Sequence, residues 1–329
     1  MIHLRSHWAL PYGLIRESTT AQKGIAVMNK VMVVMASLAL PLAMVAGLGI
    51  ALVDYGLNQR VEGEYLDVDG VRIHYTDEGE GEPVVLIHGL AVNADLNWRW
   101  PGLTEALARD YRVIALDNRG HGLSDAPDDA AQYGEEQVKD VIRILDRLGI
   151  EKAHIVGYSM GGFMTLKLAM EYPDRVICAV PCAAGWVEEN PENRALLDGL
   201  IKDMDEGHGF AAIEKHLAPP SKRSNALWLN LVNTVISHIV DTKVMAKVVR
   251  GFDDFAITEE QLRANAVPIR LIVGSEDGMR ERVDALESVL ANHDVIIVEG
   301  GNHMTTVIRP ELLEGIRGFL AERRAGPGA

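Results

Sequence analysis

The hexapeptide Gly157-Tyr-Ser-Met-Gly-Gly162 lies directly between an apolar run, His154-Ile-Val156, and a helical run, Phe163-Met-Thr-Leu-Lys-Leu-Ala-Met170. Few arrangements satisfy such a junction. A strand that turns sharply into a helix packed back against it needs glycines two residues before and after the apex, because a Cβ at either place would hold the helix off the strand. The apex residue, Ser159, is then held in a strained backbone with its hydroxyl presented above the sheet. The junction predicts a strand, a sharp turn and a helix as one unit.

The rest of the chain repeats that unit. Tyr65-Leu-Asp-Val68 and Val71-Arg-Ile-His-Tyr75 alternate around Asp69-Gly70, a strong hairpin signal. Short apolar strands follow at Val84–Ile87, Val113–Leu116, His154–Val156, Val176–Val180, Ile269–Val273 and Val295–Val298. Helical segments separate them; from Gly134 to Leu148 the residues Val138, Val141, Ile142, Leu145 and Leu148 recur on one helical face. This alternation predicts an α/β fold with a mostly parallel sheet covered by helices on both faces. From about Gly185 to Asn265 the strands stop, and a helical cap insertion is expected over 185–265. It divides the core into 64–184 and 266–325.

Two later loops stand where chemistry with Ser159 would need them. Gly274-Ser-Glu-Asp277 follows one strand and Gly300-Gly-Asn-His303 follows the next. An imidazole must accept the serine proton and return it to a leaving group, while a buried carboxylate fixes its tautomer. His303 is the expected base and Asp277 the expected acid, with Glu276 as the competing carboxylate. The loop after Val176–Val180 reads Pro181-Cys-Ala-Ala-Gly185 and offers no acid. At the end of Val84-Val-Leu-Ile-His-Gly-Leu90 the backbone N–H of Leu90, with that of Met160, would form an oxyanion hole. His88 is expected to be structural there. So are Asp117, Arg119 and His121 in the turn Asp117-Asn-Arg-Gly-His-Gly-Leu-Ser124.

These motifs, in this order, resemble the α/β-hydrolase superfamily over about Glu64 to Arg323, in its branch with a His-Gly loop, an Asp-x-Arg-Gly-x-Gly-x-Ser turn and a helical cap. The resemblance implies a serine hydrolase with an acyl-enzyme intermediate, most simply a carboxylesterase or lipase acting on a small-molecule ester without a cofactor. Carbon–carbon bond hydrolases and lactonases share the same three residues, and a ligand-binding receptor on the same fold is the non-enzymatic alternative. Epoxide hydrolases and haloalkane dehalogenases of this superfamily use an aspartate nucleophile, against which Ser159 argues. In the cap, Trp228, Leu229 and Leu231 are candidate wall residues of a substrate pocket, although helix packing accounts for them equally well.

Charge and composition exclude other roles. A formal net charge of −15 would repel nucleic acid, whose phosphates call for clustered Lys and Arg. The two cysteines, Cys178 and Cys182, share one strand, where positions four apart lie roughly 13 Å from each other, too far for a disulfide. No Cys or His pair stands at metal-ligand spacing. The N-terminus is set apart by an uncharged run from Val31 to Val53, long enough to cross a hydrocarbon core. Arg5, Arg16, Lys23 and Lys30 in the basic segment 1–30 precede it, and Asp54, Glu62, Glu64, Asp67 and Asp69 follow. The expectation is a membrane anchor over 31–53 with the catalytic domain outside the cytoplasm. A signal peptide cleaved after Val45-Ala-Gly47, with Met28 as the true start, is the competing expectation and would give a secreted or periplasmic protein.

Overall fold

The computed structural model describes residues 61–186, 188, 190–209, 213 and 240–324. Eight strands form one sheet: β1 (Glu64–Val68), β2 (Val71–Glu78), β3 (Pro83–Ile87), β4 (Arg112–Leu116), β5 (Ala153–Tyr158), β6 (Val176–Cys182), β7 (Ile269–Gly274) and β8 (His293–Val298). Their spatial order is β1-β2-β4-β3-β5-β6-β7-β8. The first two strands pair antiparallel with each other, as do β2 and β4, and every later pair is parallel. The hairpin turn places Asp69 at φ 51° and Gly70 at φ 86°, the positive-φ pair that matches strand twist. β2 runs three residues past the apolar alternation because Thr76, Asp77 and Glu78 pair with Ala115, Ile114 and Val113 of β4, where the Asp77 carboxylate also meets the Arg112 guanidinium at 2.6 Å.

Side chains alternate across the sheet and separate into two cores. On one face Val85, Ile87, Ile114, Ile155 and Leu271 pack with α2 (Glu135–Arg147), α3 (Met160–Glu171) and α7 (Arg280–Glu287). On the other, Val84, Leu86, Val113, Val156 and Ile272 pack with α1 (Leu103–Leu107) and α8 (Pro310–Glu322). Every residue of β5 is buried, as a central parallel strand requires. In α2 the face turned to the sheet is Val138, Val141, Ile144 and Leu145, with Ile142 and Leu148 only partly buried. The helical period was legible there, but the stripe is centred one position differently, because Ile144 rather than Ile142 lies beneath the strands.

Between Cys182 and Ile269 no strand occurs among the described residues; α4 (Pro191–Asp205), α5 (Thr242–Arg250) and α6 (Glu259–Arg263) do. Trp228, Leu229 and Leu231 lie outside the described residues. The anticipated membrane segment Val31–Val53 also lies outside them, and no described helix is long and apolar enough to cross a membrane. Both cysteines are buried free thiols.

Candidate active site

Parallel strands bring the C-terminal ends of β3, β4, β5, β7 and β8 to one edge of the sheet, and the predicted site residues follow those ends. Ser159 stands between β5 and α3 with φ 53°, a left-handed conformation costly for a residue with a Cβ. The flanking glycines permit it. A Cβ on Gly157 would stand 2.0 Å from the Gly161 carbonyl oxygen, and one on Gly161 would stand 2.1 Å from that of Ile87. The turn is anchored by the Ser159 N–H, which donates to the Cys182 carbonyl at 2.8 Å.

Ser159 Oγ lies 2.9 Å from His303 Nε2, and His303 Nδ1 lies 3.0 and 3.1 Å from the two oxygens of Asp277. A carboxylate can only accept, so Nδ1 carries the proton and Nε2 is left to accept one from Ser159. Asp277 is buried, and its Oδ1 also accepts from the Met279 N–H at 2.9 Å. Glu276 is exposed, with its own N–H held by the Gly301 carbonyl at 2.8 Å. Of the two neighbouring carboxylates, Asp277 is the one on the ring.

The loop after β3 is fixed by groups that sequence reasoning read as structural, together with one that it missed. Asn97 Oδ1 accepts from the Gly89 N–H at 3.0 Å. His88 Nε2 accepts from the Asn118 N–H at 2.9 Å, which leaves Nδ1–H to donate to the Gly89 carbonyl at 2.7 Å. His121 Nε2 accepts from the Ala91 N–H at 3.2 Å, so its Nδ1–H donates to the Arg119 carbonyl at 3.0 Å. Both rings must be neutral to make these bonds. Burial lowers the pKa of His88, and burial with the adjacent His88 brings that of His121 down to about 3. Burial would raise the pKa of Asp117; the His74 hydrogen bond, nearby His88 and the N–H groups of Ala94 and Leu123 outweigh it and hold the carboxyl at about 2. Arg119 is buried against Asp140, its guanidinium bonding both carboxylate oxygens. The loop so held runs beside Ser159: a Cβ on Gly89 would stand 3.4 Å from Ser159 Cβ. Leu90 and Ser159 line one cavity, and Met160 opens α3 immediately after Ser159.

That cavity has a volume of about 540 Å³. Its wall is mainly apolar, with Leu90 and Phe163 from the core and Leu197, Leu200, Met245 and Phe252 from the segment between β6 and β7. Asn193, Glu281 and Arg282 add polar groups, and Arg282 donates to Asn193 Oδ1 at 2.7 Å. None of these wall residues except Leu90 was singled out by sequence. They come from five separate elements, and only the fold collects them.

Residues 82–220 match the sequence model of the alpha/beta hydrolase fold. The chain belongs to the α/β-hydrolase superfamily. Among curated relatives, the α/β-hydrolase chain described here is 34% identical over 223 residues to a dihydrolipoyllysine-residue acetyltransferase component of the acetoin cleaving system of Pseudomonas putida, covering 67% of this chain and 52% of that protein. It is 42% identical over 131 residues to a 2-hydroxy-6-oxo-6-phenylhexa-2,4-dienoate hydrolase of Burkholderia cepacia, covering 39% of this chain and 46% of that protein. The chain thus spans about half the length of these relatives. Among solved structures, a thermophilic esterase of Thermogutta terrifontis superposes with a TM-score of 0.64 at 23% identity, over 81% of this chain and all of that one. That likeness is one of fold.

Proposed function

We propose that this α/β hydrolase is a serine carboxylesterase for apolar, small to medium acyl esters. The observation that carries the proposal is the hydrogen-bonded series Ser159–His303–Asp277, opening into an apolar cavity of about 540 Å³. In the first half-reaction Ser159 Oγ attacks the ester carbonyl carbon as its proton passes to His303 Nε2. Asp277 holds the ring and stabilises the imidazolium, and the N–H groups of Leu90 and Met160 receive the developing oxyanion. The C–O bond to the alcohol breaks, with the proton returned from Nε2, and leaves an acyl-serine. In the second half-reaction His303 takes a proton from water, the hydroxide attacks the acyl carbon, and Ser159 is released with its proton restored.

Ser159→Ala should abolish hydrolysis of p-nitrophenyl esters without altering the thermal unfolding midpoint, and a fluorophosphonate should label Ser159 alone. Turnover retained by the alanine variant refutes the proposal. A second reading, carbon–carbon bond hydrolysis, draws support from the 42% identical stretch shared with the Burkholderia cepacia enzyme. A panel of p-nitrophenyl esters set against a 2-hydroxy-6-oxo-dienoate separates the two by their kcat/KM values. For location, the reading is a membrane anchor over Val31–Val53 with the catalytic domain outside the cytoplasm, supported by the charge asymmetry around that run. Full-length protein should stay in the membrane fraction through a carbonate wash, and protein lacking residues 1–53 should be soluble and active.

A further inference from the structure

Tyr158 is the residue of the Gly-x-Ser-x-Gly motif that the chemistry above leaves unused. It ends β5, pairs with Cys182 of β6 and is 5% exposed. Its ring lies 6.4 Å from Trp98, nearly perpendicular to it, and 5.9 Å from the His303 ring. Trp98 follows Asn97, whose side chain holds the Gly89 N–H. The Tyr158 hydroxyl donates to the His303 carbonyl oxygen at 2.8 Å. One side chain therefore touches the base, borders the turn that supports the loop after β3, and belongs to the nucleophile elbow itself.

The segment carrying His303 is stiff within itself. The Asn302 side chain accepts from the N–H groups of Met304 and Thr305, and the Thr306 hydroxyl donates to the Asn302 carbonyl. None of these bonds fixes the segment relative to Ser159. The Glu276 N–H ties Gly301, two residues before, to the loop after β7, and among the described residues three partners bond His303 itself: Ser159 Oγ at Nε2, Asp277 at Nδ1, and Tyr158 at the backbone carbonyl. The first cannot survive the proposed reaction. Once Ser159 is acylated its Oγ has no proton to give, and Nε2 must turn to water. From that moment two partners remain on His303 itself among the described residues, and of these Tyr158 is the one that joins it to β5, the strand leading into the acylated serine.

We propose that Tyr158 is a positioning residue that holds His303 in place while Ser159 is acylated, so that its effect falls mainly on deacylation. The inference rests on the serine esterase reading above. Burial raises the Tyr158 pKa well above its ordinary 10, so the phenol remains a donor at any pH at which the enzyme would work.

The test is Tyr158→Phe in the full chain, which removes the hydroxyl and keeps the ring. A misplaced base slows the step it serves by about 10- to 100-fold. Steady-state kcat for p-nitrophenyl butyrate should fall by that factor. KM should fall with it, so that kcat/KM, which reports acylation, changes less than about threefold. Stopped-flow should show a burst of p-nitrophenol near one equivalent per chain, followed by the slow phase. The burst amplitude also counts folded sites, so partial unfolding cannot imitate the result. Equal loss in kcat and kcat/KM, or kcat within twofold of wild type, overturns the inference while an inactive Ser159→Ala leaves the esterase reading standing. Turnover in Ser159→Ala overturns the reading itself.

Discussion

Asp277→Asn isolates the role of the carboxylate with almost no change of shape. Asp277 Oδ1 accepts from both the Met279 N–H at 2.9 Å and His303 Nδ1 at 3.0 Å, and Oδ2 lies 3.1 Å from the same Nδ1. An asparagine keeps one acceptor. The Met279 N–H pulls the amide oxygen to the Oδ1 position, which places the NH2 group where Oδ2 was, facing Nδ1. That NH2 then stands 3.1 Å from Nδ1, about as near as the shared amide oxygen at 3.0 Å, so the tautomer with its proton on Nε2, which offers Ser159 a donor where an acceptor is needed, gains a partner at the expense of the productive one. In the best-studied triad this substitution costs about 10⁴ in kcat, which corresponds to roughly 5.4 kcal/mol at 1.36 kcal/mol per decade. The same order is expected here, because the one remaining oxygen is shared with the Met279 N–H and the negative charge that stabilises the imidazolium is lost. The assay is kcat on a p-nitrophenyl ester, with Glu276→Gln as the control, expected within about threefold of wild type. Loss of less than tenfold in Asp277→Asn, or an equal loss in Glu276→Gln, would refute the reasoning.

The buried histidines give a pH prediction. His121, at about 3 when folded and near 6.5 when unfolded, binds a proton in the unfolded chain first, so stability is full above 6.5 and is lost progressively down to about 3, by up to about 1.4 kcal/mol per pH unit. His88 and His154 are lowered in the same direction, while Asp117 contributes only between its ordinary 3.8 and about 2. Urea denaturation between pH 4.5 and 6.5 should therefore show His121→Gln with a slope shallower by about one proton, and an unchanged slope would refute the assignment. Arg119→Ala should destabilise by about 3–5 kcal/mol, because it leaves Asp140 buried without its bidentate partner; a urea midpoint within error of wild type would count against that. Leu200→Trp, which fills cavity space, should raise KM for a decanoate ester by about tenfold or more and leave the acetate ester within twofold; equal effects on both would show that the acyl chain lies elsewhere.

What the sequence made legible follows from how local each constraint is. The elbow was readable because its strain is local: Ser159 at φ 53° needs glycines at fixed offsets, and nothing distant can replace them. The choice of Asp277 over Glu276 was readable only as a preference, since it depends on which of two adjacent side chains turns inward. Their burial settles the geometry. Asn97 and Tyr158 left no signal. Asn97 acts through a side-chain bond to a backbone N–H eight residues away, and Tyr158 through one to a carbonyl 145 residues away. Neither contact has a period or a spacing to announce it. The wall of the cavity escaped for another reason: Phe163, Leu200 and Met245 are also what any helix packed on a core would carry.

The two kinds of residue also divide the labour of keeping the site together. In the proposed mechanism Ser159, His303 and Asp277, on three loops 144 and 26 residues apart in sequence, must keep their distances through a cycle in which the bond between the first two is broken and remade. Bonds among the reacting groups cannot guarantee this. The groups that can are those whose partners never change protonation: neutral His88 and His121 for the loop after β3, and the backbone contacts of Tyr158 and Asn97. This predicts the behaviour in acid. Between pH 6.5 and 4.5 the hydrogen bonds that hold the loop after β3 should stay intact in the folded protein, with near-UV circular dichroism native, because burial keeps His88 neutral and His121 neutral down to about 3. A tertiary signal that falls over that interval in step with chemical shifts of the His88 and His121 rings would mean that the supporting histidines titrate there, and that the division does not exist.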